Sequence, residues 1–125
     1  MSQFGDLDFF TATIGAGASL SAAVNLGQKT VVGIAMPAAW TAADITFQAS
    51  GDGGVTFGEL EASDGTSVNA VTPFTVHSPA ASQVIGFDPT RFRGVNCIKV
   101  RSGTSGVPVS QVAQAAITLL VRGVL

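Results

Sequence analysis

Between residues 45 and 50 apolar and polar side chains alternate without a break: Ile45, Phe47 and Ala49 on one face, Thr46, Gln48 and Ser50 on the other. A period of two predicts a strand with one face in a core and one in water. Gly51-Asp52-Gly53-Gly54 follows and can supply the positive φ angles of a hairpin turn. Val55-Thr56-Phe57 then resumes the alternation with β-branched and aromatic residues, so residues 40–60 predict a hairpin.

The rest of the chain repeats this pattern. Residues 1–10 are acidic and rich in Phe with no turn before Gly15, which sets 1–20 apart as an arm or a first edge strand ahead of a single sandwich domain over 21–125. Residues 19–26 alternate Leu20, Ala22 and Val24 against Ser19, Ser21 and Ala23, and 25–28 form a turn. Residues 30–36 are apolar on both faces, Val32, Ile34 and Met36 against Val31 and Ala35, which predicts a central strand covered on both sides. Pro37 ends it, because proline has no N–H to give to a ladder. Downstream come an Asp-Gly turn over 62–66, one or two short strands over 68–76 broken at Pro73, a strand over 82–87 and a proline-led turn over 88–92. Residues 95–102 place Ile98 and Val100 inward and Lys99 and Arg101 outward, and 115–122 form a last strand with Ile117, Leu119 and Val121 in the core. Eight or nine short strands, turns about every ten residues and almost no helix signal predict an all-β fold, an antiparallel β-sandwich or jelly roll.

Composition sharpens this. At 125 residues the chain can bury a core without metal or disulfide. Only 11% of it is charged against 46% hydrophobic, so much of its surface must be neutral or covered by neighbours, which points to an assembly protein. Residues 1–65 hold seven of the eight acids and one base, Lys29, a formal −6; residues 66–125 hold Asp88 against Arg91, Arg93, Lys99, Arg101 and Arg122, a formal +4. Either acidic and basic strands are neighbours inside one sandwich, or oppositely charged faces meet between subunits. Neither arrangement favours nucleic acid, which needs a continuous basic surface. Cys97 is alone, which excludes an intrachain disulfide. Residues 1–10 lack a basic signal-peptide start, and no apolar run suits a membrane span, so the chain is expected to be made and soluble in a cytoplasm.

No constellation names a reaction. Gly15-Ala16-Gly17 precedes a strand and not the helix a phosphate-binding turn needs. One histidine, His77, and one cysteine exclude multi-histidine and zinc-cluster sites, and Asp52 and Asp64 read as turn formers, not calcium ligands. By parity Cys97 shares the face of Lys99, as a filler on a covered sheet or at an interface. Glu59 and Glu61, two apart, read as a solvated strand face. A sugar site would display flat aromatics, yet the chain has no tyrosine and one tryptophan, Trp40, placed to cap the core. The uncharged loop over 103–114 suits contact with another protein. The expectation is therefore a non-enzymatic protein without catalytic residues, cofactor or metal, whose interface residues are Arg91, Arg93, Lys99, Arg101, Pro108, Val109 and Gln111.

The stretches MPAAWTAADITFQASGDGG, RGVNCIKVRSGTSGVPVSQ and AITLLVRGVL resemble a family of small virion proteins of tailed bacteriophages. Pro37, Trp40, Thr41, Ala43, Thr46, Phe47, Gln48, Arg101, Ser102, Gly103, Thr104, Pro108, Val109 and Gln111 match its pattern, Ser110 replaces an Asn, and roughly the first twenty residues have no counterpart. The resemblance implies a phage-particle component, similar to the cement or decoration proteins that sit on the shell of major capsid protein, often as trimers. The expected location is the virion, with the major capsid protein and further copies of the chain as partners and neither nucleic acid nor membrane. A head-fibre or tail-associated module binding host-surface carbohydrate, or a tail structural subunit, is the alternative.

Overall fold

The computed structural model describes residues 7–63, 71–87, 92 and 95–123. They form β1 (Leu7–Ile14), β2 (Val24–Asn25), β3 (Lys29–Ala35), β4 (Ile45–Ser50), β5 (Gly58–Glu59), β6 (Glu61–Ser63), β7 (Val71–Pro73), β8 (Val84–Gly86), β9 (Cys97–Ser102) and β10 (Ala115–Gly123). One sheet has the order β1-β10-β3-β8, a second β2-β9-β4-β5, and β6 and β7 pair as a small third sheet. All pairings are antiparallel. The partners nest: β1 with β10, β2 with β9, β3 with β8, and β4 with β5 at the tip. A long antiparallel ribbon has been rolled so that its successive rungs fall alternately into two sheets, which is the jelly roll. The hairpin of residues 45–59 is the tip of that ribbon.

Burial of the inner faces drives the rolling. Ala12 and Ile14 of β1, Val31 and Ile34 of β3, and Ile117, Leu119 and Val121 of β10 meet Ile45, Phe47, Ile98 and Val100 of the second sheet in one core. Each fully buried aliphatic side chain contributes roughly 1.5–3 kcal/mol over exposure. Phe47, Phe74, Phe87 and Phe92 close one end, with Phe47 edge-on to Phe92 at 5.2 Å between ring centroids and stacked on Phe74 at 5.7 Å.

Strand parity in residues 30–36 differs from the simple alternation. The ladder between β3 and β10 shifts register at Leu120/Val121, where Leu120 pairs with Gly33 and Val121 with Val31. The bulge leaves Val32 unpaired with β10, so Val31 and Ile34 both face the core while Val32 is half-buried. An extra residue in one strand reverses the facing of everything beyond it. Gly33 is required there: a Cβ would run into the Ile85 carbonyl and approach Cδ1 of Leu120 to 3.3 Å.

Two further expectations need correction. Residues 19–26 do not form one strand; Leu20 makes an isolated bridge to Arg101, and only Val24–Asn25 pairs with β9. The second arm of the hairpin begins at Gly58, not Val55, because Asp52 turns residues 51–57 into a closed loop. Its carboxylate accepts from the Val55 and Thr56 N–H groups at 3.1 and 2.9 Å and from the Thr56 and Ser50 hydroxyls. These donors hold Asp52 well below the usual carboxylate range, the Thr56 hydroxyl first among them. The turns expected over 64–66 and 88–91 lie outside the described residues.

Candidate functional site

The outer face of the second sheet carries Cys97, Lys99, Arg101 and Glu59 of the side chains singled out from sequence, and it is not open. Arg101 on β9 was expected to point to solvent; its side chain is 9% exposed. Its guanidinium forms a bidentate pair with Glu59 on β5, Nη1 to Oε1 and Nη2 to Oε2, the latter at 2.7 Å. β4 lies between these strands, and its outward Thr46 sits 3.4 Å from Nη1 and donates its hydroxyl to the Gly103 carbonyl at 2.7 Å. The mutual hydrogen bonds lower the Glu59 pKa and raise that of Arg101. Acidic first half and basic second half therefore meet inside one sandwich here, while the first half's own base, Lys29, donates to Asp8 at 2.8 Å. Glu59 and Glu61 do not share a strand; Leu60 separates β5 from β6 and is buried.

Lys99 is half-buried with Nζ 4.5 Å from the centroid of the Phe57 ring, a cation–π contact. Cys97 is buried under the Asp52 loop: a Cβ built on Gly54 would stand 3.3 Å from its Sγ. Asp52→Ala is expected to loosen that lid and speed labelling of Cys97 by a soluble disulfide reagent while the far-UV circular dichroism stays unchanged. Labelling as slow as in the wild type would show that the loop holds without the carboxylate.

Gln111, expected at an interface, is almost fully buried and acts as a clamp. Its Oε1 accepts from the Thr41 N–H at 2.8 Å, and its Nε2 donates to the Thr41 carbonyl at 3.0 Å and to Ser102 Oγ at 2.7 Å. The loop over 103–114 is thereby tied down. Gly103 (φ 92°) opens its turn, and a Cβ there would meet Val109 N at 2.7 Å and Pro108 Cα at 2.9 Å. Pro108 stays exposed and Val109 half-buried. Arg91 and Arg93 lie outside the described residues. Trp40 packs against the core as expected, with its indole nitrogen buried and unpartnered.

Among the described residues, a histidine, a serine and a carboxylate come together once, at His77, Ser78 and Asp44. Ser78 donates its N–H to Asp44 at 2.7 Å, while His77 Nδ1 stands 3.8 Å from the same carboxylate with its side chain 82% exposed. The serine hydroxyl also faces Asp44, at 3.4 Å, so the histidine is not placed to take its proton. Among the described residues no three His, Cys, Asp or Glu side chains are grouped to hold a metal ion, and no helix is long and apolar enough to cross a membrane.

The surface that sequence reasoning missed is the outer face of the β1-β10-β3-β8 sheet. Its rows are Phe9, Leu120, Gly33 and Gly86, then Thr11, Thr118, Ala35 and Val84. Leu7 and Phe9 are 50% and 57% exposed and Val84 is more so. Across these rows there is no charge; Arg122, opposite Leu7, stands at the margin. The adjacent pair Phe9-Phe10 was the available signal, since in any strand one of two neighbours must face out. The molecule is thus an antiparallel jelly-roll sandwich with one sheet polar and internally paired on its outside, the other neutral. Comparison with models of protein families, with curated proteins and with solved structures gave no match.

Proposed function

We propose that this chain is a non-enzymatic structural protein of a tailed-phage particle, decorating the capsid by lying on the shell of major capsid protein. The observation that carries the reading is the uncharged outer face of the β1-β10-β3-β8 sheet, with Phe9, Leu120 and Val84 across it. A neutral, partly apolar sheet face of this breadth is what another protein covers, and it offers no charged group for catalysis or for phosphate. The resemblance of residues 37–48 and 101–111 to small virion proteins adds the particle as context; the trimer rests on that resemblance alone. Arg101 and Gln111 leave the expected interface, being committed within the fold, while Lys99, Pro108 and Val109 keep exposed or half-exposed surface.

Co-sedimentation with cognate heads stripped of the protein tests this. The wild type should pellet with the heads, and Val84→Lys, which places a charge on an exposed edge-strand position, should remain in the supernatant with its melting temperature unchanged. Wild-type protein that stays free of heads, or appears on tails instead, would refute capsid decoration.

A further inference from the structure

Among the described residues, strand β1 is the one long edge of the sandwich without a strand partner on its outer side. The other outer strands, β8, β2 and β5, run 3, 2 and 2 residues, whereas β1 runs 8. Short edges give an incoming strand little to pair with; a long, flat edge is a template for another strand. The direction of the free groups follows from Asp8, whose Oδ1 accepts from the Phe9 N–H at 2.8 Å. That N–H therefore points away from β10, and the alternation of antiparallel ladders puts the N–H and C=O of Thr11 and Thr13 on the same side. None of the described residues bonds them there. The side chains that accompany them, Leu7, Phe9, Thr11 and Thr13, are exposed and uncharged, and the single charge on the strand, Asp8, is already matched by Lys29.

We propose that β1 pairs with β1 of a second copy, antiparallel about a two-fold axis at Thr11, joining two four-stranded sheets into one of eight. A second copy is the occupant because the strand matches itself. With the axis at Thr11, Thr11 faces Thr11, Phe9 faces Thr13 of the second copy, and Leu7 lies beside Gly15. Exposed aromatic meets β-branched residue, outer face continues outer face, and the Phe9 N–H passes from Asp8 to the opposing Thr13 carbonyl. The axis also keeps like charges apart. Asp8 of each copy stands opposite Ile14 of the other, which separates the two carboxylates by about 20 Å at strand spacing, beyond the roughly 10 Å screening length of 0.1 M salt. The pairing does not depend on the capsid reading: failure of head binding would leave it standing, and a monomer in solution would leave head binding standing.

Sedimentation equilibrium at about 100 μM should give twice the 12.6 kDa chain mass for the wild type. Thr11→Pro deletes an N–H that points away from β10, and edge positions of that kind tolerate proline, so the variant should fold and run as a monomer. Thr11→Lys keeps the N–H but sets two ammonium groups face to face at the axis, and should raise the dimer Kd at least about tenfold. Thr11→Cys should cross-link into a covalent dimer on oxidation, whereas cysteine at Val107, also exposed but far from this edge in sequence, should not. A wild-type monomer, a trimer whose mass ignores Thr11→Lys, or equal cross-linking at both positions would overturn the proposal.

Discussion

Replacing Phe47 with alanine will lower the melting temperature by about 12–20 °C. The side chain is fully buried at the tip of the ribbon and packs on three rings at once, Phe74, Phe87 and Phe92. These belong to three different segments, one following β7, one following β8 and one before β9. Truncation removes the transfer energy of the ring and opens a cavity bounded by the remaining three, which cannot collapse without moving two sheets. Such substitutions cost about 3–5 kcal/mol. A kcal/mol corresponds to about 4 °C in a chain of this size, and the whole stability of a domain is only about 5–15 kcal/mol. Differential scanning calorimetry checks it, with Val107→Ala as control, an exposed position where the change should stay within about 0.5 kcal/mol. A drop of under 5 °C for Phe47→Ala would mean that the four-ring cluster is not the keystone of that end.

The inward face of the fold was legible in the sequence, because alternation alone placed Ile45, Phe47, Ile98, Val100, Ile117, Leu119 and Val121, all buried. Parity says which side of a strand a residue takes, but not whether that side is covered. Thr46 and Arg101 alternate as solvent-facing residues do, yet β5 and the Gly103 turn lie against them, and both are buried. The signal for that cover is non-local: Glu59 and Arg101 are 42 residues apart, and Gln111 and Thr41 are 70 apart. Loops misled for a related reason. A run of Val, Pro, Ala and Gln looks free of structure until one buried amide, Gln111, is seen to bind Thr41 and Ser102 together. Turn chemistry was read correctly as turn chemistry, but Asp52 reaches far enough to convert a four-residue turn into a seven-residue loop.

The charge split of the sequence finds its test at Glu59. Glu59→Ala leaves the Arg101 guanidinium, 9% exposed, without its counter-charge. Severing a fully buried pair costs about 3–5 kcal/mol; the Glu59 side chain is 26% exposed, so water reaches the vacated space and about 2 kcal/mol is expected. Much of this loss is the stranded cation and not the value of the pair. The double variant Glu59→Met with Arg101→Met should therefore be more stable than Glu59→Ala alone, as apolar replacements of buried pairs often are. The pH dependence carries the same signature. Hydrogen bonding to Arg101 lowers the folded-state pKa of Glu59 below its unfolded value of about 4.3. Between those two values the unfolded chain binds more protons, so stability rises with pH there; the contribution is complete above about pH 4.3 and is lost as pH falls through the folded value. Asp8 and Asp52 are lowered too and add to the same acid limb. Glu59→Gln should thus flatten the limb without abolishing it, read as urea midpoints from pH 7 down to pH 2. An acid limb of unchanged slope in Glu59→Gln, or a double variant less stable than Glu59→Ala, would show that the pair is a surface contact and that Arg101 is free to meet a partner after all.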